Sequence, residues 1–394
     1  MLEIPRAPAI MGPRDEPLVL LEGASARKPA NADRYPRLDA FEGRVLLPPG
    51  SGAPTYHGVR DGNRSVIIAE AAAMIGGRAY ALSAKGVGAR PPLYGDSPLE
   101  FAFRHDYGAH PSYWDDEGGG LAGTRQVTAE AWFGESPYGA QGEIPARYSL
   151  MITEMSEGAQ INGFWMCPVV QVVELPLPVR AEANERYWYR RNRGTYLQEH
   201  RLVPSNVRVY HEAEWTLGQN PQAVLGAFGV LTPEAADAFI ERFLASGFAA
   251  LTLYVRTMRK TAWGYRGLNY GDVYLDKDAV IAPDGTLHFV DLEGLDWILG
   301  GADVPVEERV REQFNYNFYE VMYAVDLLLR ERERLAGRAL RQDERRASLA
   351  ARLEMALARD RFLRCELGSS GLDVVVRPPF AELDAVPIRA IDLR

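Results

Sequence analysis

Midway along its 394 residues this chain changes hydrophobic period. In the first half, residues 66–75 and 78–84 are apolar runs separated by Gly76-Gly77, the pattern of two strands joined by a tight turn. Residues 147–154 and 163–175, rich in Val, Ile, Met and aromatics, predict two further strands, and 124–135 opens on a threonine cap and predicts a short helix. In the second half, 233–258 begins at Thr232-Pro233 and places Ala236, Phe239, Ile240, Phe243 and Leu244 at helical spacing. Residues 307–335 and 340–366 predict two more long helices, laced with Arg and Glu. Between these helical blocks, 271–292 holds two short apolar strands around Pro283-Asp284-Gly285, a turn sequence.

Strands first, helices second and a hairpin set among the helices predict an α+β chain of two lobes. Residues 1–60, rich in Pro, Gly and Arg, are expected to form an irregular arm, 61–180 a β-rich first lobe, and 181–394 a mainly helical second lobe. A long loop over 86–123 carries an acidic knot at Asp115, Asp116 and Glu117. The formal net charge of -9 argues against a broad nucleic-acid footprint, which needs a basic surface. Two cysteines, Cys167 and Cys365, are too few for a disulfide scaffold and point to a reducing cytoplasm. His105 and His110 lack cysteine companions, so no zinc site is expected there. No apolar run approaches the length of a membrane span, and the first residues lack the layout of a leader, so the expected location is cytoplasmic with no membrane partner.

The segment most suggestive of chemistry runs from Gly271-Asp272 through the hairpin to Asp291, which closes the apolar run Leu287-His288-Phe289-Val290. A carboxylate at the end of a buried strand needs a partner or a metal. Phosphoryl transfer asks for one Asp that orients the acceptor or takes its proton, here Asp272, and another that holds a divalent metal, here Asp291. Asp278 is the candidate second metal ligand, with Asp276 in competition; a solvated surface hairpin is the plain alternative. Lys85 ends a strand and precedes Gly86-Val87-Gly88, and Glu130 (or Glu135) on the following helix would pair with it to place phosphates. A lysine that merely caps an edge strand is the alternative, and no glycine-rich phosphate loop precedes it. Arg201 and Arg208 bracket the Pro204-Ser205 kink, where their guanidinium forks suit phosphate oxygens, unless they belong to a solvated basic strip.

Taken in order, these elements resemble the selenoprotein O family, protein-kinase-like proteins that transfer AMP from ATP to protein hydroxyl groups. Lys85-Gly86-Val87-Gly88-Ala89-Arg90-Pro91 followed by Gly95-Asp96 is similar to that family's K-G-S-G-x-T-P and G-D, and Glu130 to Glu135 resembles its E-F-x-x-x-E. Arg201 to Arg208 matches its R-V-A-P-S-H-L-R at identical spacing, and Gly267 to Val273 resembles its G-V-M-N-T-D-N. The resemblance implies a bilobal protein-kinase-like fold that binds ATP with Mg²⁺ (or Mn²⁺). It implies Lys85, Gly86, Gly88, Glu130, Arg201 and Arg208 at the nucleotide, Asp272 as base and Asp291 as metal ligand. Val273 stands where the family has a metal-binding Asn, and the interval from Asp272 to Asp291 is longer than the family's. Both features are closer to ordinary and aminoglycoside-type kinases. Transfer of the γ-phosphate to a small molecule or peptide therefore remains a second expectation, and a catalytically inactive nucleotide-binding scaffold a third.

Overall fold

A computed structural model of the chain describes residues 8–47, 54–61, 65–87, 143–161, 163–176, 197–209, 215–262, 275, 278–292, 306–358, 363–367 and 372–376. Six strands come first: β1 (Glu16–Glu22), β2 (Ala26–Arg27), β3 (Arg44–Leu47), β4 (Tyr56–Asp61), β5 (Ser65–Ile75) and β6 (Arg78–Lys85). Helix α1 (Glu143–Glu154) precedes β7 (Gln160–Ile161), β8 (Phe164–Met166), β9 (Val169–Glu174) and β10 (Leu197–Val203). Then follow α2 (Pro221–Ala227), α3 (Pro233–Ala262), β11 (Ala279–Ile281), β12 (Leu287–Phe289), α4 (Val306–Leu335), α5 (Gln342–Leu357), β13 (Leu363–Leu367) and β14 (Leu372–Val376). The class is α+β, as expected. Among the described residues no helix is long and apolar enough to cross a membrane.

Eight strands form one antiparallel sheet in the order β2-β9-β10-β6-β5-β4-β1-β3. The β5–β6 hairpin closes on Gly76 and Gly77 at φ 56° and 80°, left-handed values that favour glycine and suit the twist of the two strands. The sheet curls until β3, at one end, meets β10 near the other. Gln198 makes this closure: its amide accepts from Leu46 N at 2.8 Å and donates to Leu46 O at 2.7 Å, acting like a strand backbone for an edge that has no further strand. His200 lies between Gln198 and Gln171. Gln171 Nε2, which also donates to Phe41 O, meets His200 Nδ1 at 2.8 Å, and His200 Nε2 meets Gln198 Oε1 at 2.9 Å.

A second sheet, ordered β11-β12-β8-β7, packs on α3 through the main apolar core, with Phe239, Phe243, Phe248 and Phe289 fully buried. Helices α3, α4 and α5 are tied by Asp237, which pairs with Arg332 at 3.1 Å and also with Arg352. The β11–β12 turn fits against α3 only because residue 285 is glycine. Its φ is 95°, and a Cβ there would lie 2.7 Å from the Phe239 carbonyl oxygen. The neighbouring Asp284 pairs with Arg78 at 2.7 Å, and the Arg78 guanidinium lies 3.9 Å above the Trp165 ring, which stacks on His288.

Three sequence expectations are corrected. Residues 1–60, expected to be irregular, supply β1, β2, β3 and all but the last residue of β4; these strands are short, and Pro- and Gly-rich connections hide them. Residues 147–154, expected to be a strand, belong to α1. Its buried stripe is Ala146, Ser149, Leu150 and Thr153, at helical spacing, but two of the four positions are hydroxyl residues and break the apolar pattern. Thr153 Oγ1 donates to Ser149 O and accepts from Val169 N, so both its hydrogen-bonding roles are filled without water. The helix expected over 340–366 ends at Leu357, and Leu363–Leu367 pairs with β14 instead. Strand β10, beyond the expected boundary at 180, lies between β9 and β6 in the large sheet. The helix expected over 124–135 and the loop beyond residue 87 lie outside the described residues.

Two measurements follow. Gly285→Ala combines a left-handed backbone with a clash against α3 and should lower unfolding free energy by about 2–4 kcal/mol in urea titration; an unchanged midpoint would show that the turn does not pack as described. Burial holds the His200 imidazole down at about 4, and burial together with Arg78 holds that of His288 at about 3, against an ordinary 6.5. Below pH 6.5 the unfolded chain takes up protons that the folded rings refuse, so stability present at neutral pH is lost as pH falls from 6.5 toward 4. Between pH 7.5 and 5.5 the two rings together should remove about 2–3 kcal/mol. Urea titration at both values checks this, and a flat profile would overturn it.

Candidate functional site

Strand register lines up one polar row across four strands. Asp61 of β4 faces Ser65 of β5, Ser65 faces Lys85 of β6, and Lys85 faces Glu199 of β10. Paired residues share a face of a sheet, so an acid, a hydroxyl, a base and an acid stand side by side. All four residues are buried. In the adjoining row Ser83 faces Arg201, which is 1% exposed. The opposite face of the same strands carries Val66, Ile68, Leu82 and Ala84 in an apolar cluster. Strand β10 therefore holds the run Gln198-Glu199-His200-Arg201 with polar groups on both faces and all of them buried.

Arg201 is the hub. Its Nη1 donates to the Val290 carbonyl at 2.7 Å and to Asp291 Oδ1 at 3.2 Å, and its Nη2 donates to Ser65 Oγ at 3.2 Å. Asp61 Oδ2 lies 3.7 Å from the same Nη2. Lys85 Nζ reaches Asp291 Oδ1 at 2.9 Å. One carboxylate oxygen at the end of β12 thus accepts from two cations anchored on the large sheet. Asp291 is half-buried and the most accessible member of the group, its side chain 30% accessible against 2% for Lys85.

The chain between the two arginines explains how the sheets are joined. After Val203 it bends at Pro204. Ser205 Oγ then donates to Ile281 O at 2.6 Å, Ile281 N donates to Val207 O at 2.7 Å, and Arg208 bridges to Val280. Arg208 sends Nη2 to within 3.7 Å of Asp61 Oδ1. On the outer side, Asn206 donates to Met11 O at 2.7 Å and accepts from Met11 N at 2.9 Å, so residues 9–11 run alongside as a strap.

Of the residues singled out in the sequence, Lys85, Arg201 and Asp291 come into direct contact, and Arg208 joins them through Asp61. Gly86 sits at φ 98°, a left-handed value, where its carbonyl accepts from Gln198 Nε2 at 3.0 Å. Asp278 is buried at the open end of the β11–β12 hairpin, and its carbonyl accepts from Val290 N at 2.9 Å. Gly88, Glu130 and Asp272 lie outside the described residues, as does Asp276. The residues not singled out are Asp61, Ser65, Ser83 and Glu199. For Glu199 a signal existed, because four consecutive polar residues inside a strand flanked by Leu197 and Leu202 break the rule for a buried strand.

Among the described residues no group of three or more His, Cys, Asp or Glu side chains forms a metal cage. Asp278 and Asp291, the two carboxylates singled out as metal ligands, both lie at the open end of the β11–β12 hairpin, Asp278 opposite Val290 and so one position out of step with Asp291.

Arg201→Met removes a buried guanidinium and leaves Asp61 and Asp291 without it. Loss of one partner from a buried ion pair should cost about 3–5 kcal/mol in chemical denaturation. Lys28→Met makes the same charge change at an exposed pair with Glu42 and should leave the denaturation midpoint nearly unchanged. Equal shifts in the two variants would show that the Arg201 group is not held as described. Searches against family models, curated proteins and solved structures each found no match to this chain.

Proposed function

We propose that this chain has a bilobal protein-kinase-like fold and is an ATP- and Mg²⁺-dependent transferase (Mn²⁺ serving as well) that moves AMP from ATP to a protein hydroxyl. The observation that carries this reading is the 2.9 Å pair between Lys85 Nζ and Asp291 Oδ1, made across 206 positions of sequence. Transfer from a nucleotide needs a cation for the phosphate oxygens and a carboxylate for the metal in one place, and these are the two groups that meet. Phosphate oxygens compete for the same donors as Asp291 Oδ1. Lys85 can therefore exchange a carboxylate oxygen for a phosphate oxygen with little movement, and Asp291 is then released toward a metal. The metal, when bound, neutralises phosphate charge; Asp291, with Asp278 at the same hairpin end, would hold it. Asp272 takes the acceptor's proton in this reading, on the resemblance alone.

One observation favours a second reading. The donors of Arg201 are directed at Val290 O, Asp291, Ser65 and Asp61, and its side chain is 1% exposed. On the resemblance, AMP transfer has ATP bound in a flipped orientation with Arg201 on its outer phosphate, whereas γ-phosphate transfer to a small molecule or peptide does not ask this of Arg201.

Parallel incubation with Mg²⁺ and ATP labelled with ³²P at the α or the γ position separates them. Label from the α position alone is expected in a protein acceptor; label from γ alone would replace AMP transfer by a kinase activity. Lys85→Met and Asp291→Ala should each reduce labelling by about 100-fold or more, the scale for losing one preorganised electrostatic contact. Absence of both label and ATP binding in the unaltered protein would sink the reading.

A further inference from the structure

We infer that Asp61, at the end of β4, is a positioning residue that sets Asp291 through Arg201. The inference rests on the transferase reading for what the site does, and on geometry alone for how the site is held. Asp61 is 1% exposed and its carboxylate faces two guanidiniums, Arg201 Nη2 at 3.7 Å from Oδ2 and Arg208 Nη2 at 3.7 Å from Oδ1. Ser83 Oγ donates to Oδ2 at 3.3 Å and fixes the rotation of the group. Asp61 touches neither Lys85 nor Asp291 in these contacts. Its reach to the exposed end of the site is relayed: the carboxylate draws Nη2 of Arg201 toward β4, which aims Nη1 at Val290 O and Asp291 Oδ1.

The electrostatics give the relay its force. Arg201 and Arg208 are both buried, and two guanidiniums within reach of one carboxylate repel each other in a medium that screens poorly. Asp61 is the anion between them. Neutralising it leaves like charges facing across the space it filled. Arg201 relieves that repulsion by drawing Nη2 away from β4, which turns the guanidinium and shifts Nη1 on Val290 O and Asp291 Oδ1. Groups in direct contact with a metal ligand, as Arg201 is with Asp291, typically change metal affinity or activity by about 10–100-fold when altered, and Asp61 acts on that contact through Arg201.

The test uses Asp61→Asn, which keeps the shape and removes the charge, and Ser83→Ala, which removes only the 3.3 Å hydrogen bond and keeps the fold testable should the first variant not fold. Amide hydrogen exchange reads residues 287–292, and labelling from ATP is titrated with Mg²⁺. The expected result is that exchange over 287–292 accelerates about tenfold or more while α3 and α4 exchange as in the unaltered protein. The Mg²⁺ concentration for half-maximal labelling should rise about tenfold. Ser83→Ala should give the same pattern more weakly. Unchanged exchange over 287–292, or faster exchange in all elements together, overturns the inference, the latter by showing a merely structural role. If the unaltered protein neither binds ATP nor transfers label, the transferase reading fails, and the exchange pattern still upholds or overturns the placement of Asp291 by Asp61.

Discussion

A guanidinium with almost no contact with water joins the two larger sheets of the described residues. Arg201 is anchored on β10 and spends its donors on β5 and on the end of β12, with Asp61 of β4 alongside, so its burial requires all four elements to be in register together. A charge taken out of water without its partners is worth several kcal/mol against folding. The apolar clusters on either side can tolerate small slips, but this group cannot: a one-residue shift of β10 would exchange Arg201 for Leu202 and send the charge to the other face.

The segment from Arg201 to Arg208 carries the same constraint through its backbone. Its serine and asparagine supply the hydrogen bonds of strands that are absent there, Ser205 to Ile281 on one side and Asn206 to Met11 on the other. Gln198 does the same for Leu46 where the sheet curls on itself. Side-chain amides and hydroxyls, in place of longer strands, complete the edges of this fold. This leaves the exposed end of β12 as the place where buried charge meets solvent, and Asp291 is the group found there.

What could be read from the sequence follows from which signals are local. The β5–β6 hairpin, the β11–β12 hairpin, α3 and α4 announce themselves by period and turn residues, and they are where the pattern places them. Helix α1 was hidden because Ser149 and Thr153 occupy apolar positions of its stripe. Strands β1 to β4 were hidden because each is short and flanked by Pro and Gly. In the site, Lys85 and Asp291 could be picked out because each ends an apolar run, and Arg201 because it brackets the Pro204-Ser205 kink with Arg208. Asp61 and Ser65 could not: their meaning lies in the register of three neighbouring strands, and no window of sequence contains it.

Lys85, within the row that runs from Asp61 to Glu199, meets Asp291, and this fixes when such a group can exist during synthesis. A chain still emerging from a ribosome can pair β4, β5 and β6 early, but it then displays a lysine and an aspartate whose counter-charges have not yet been made. The charged face stays hydrated until β12 has cleared the exit tunnel, and the two layers can close only after that. Long-range pairing of this kind is slow to form. A product truncated before residue 291 therefore lacks the carboxylate that pairs with Lys85 and Arg201.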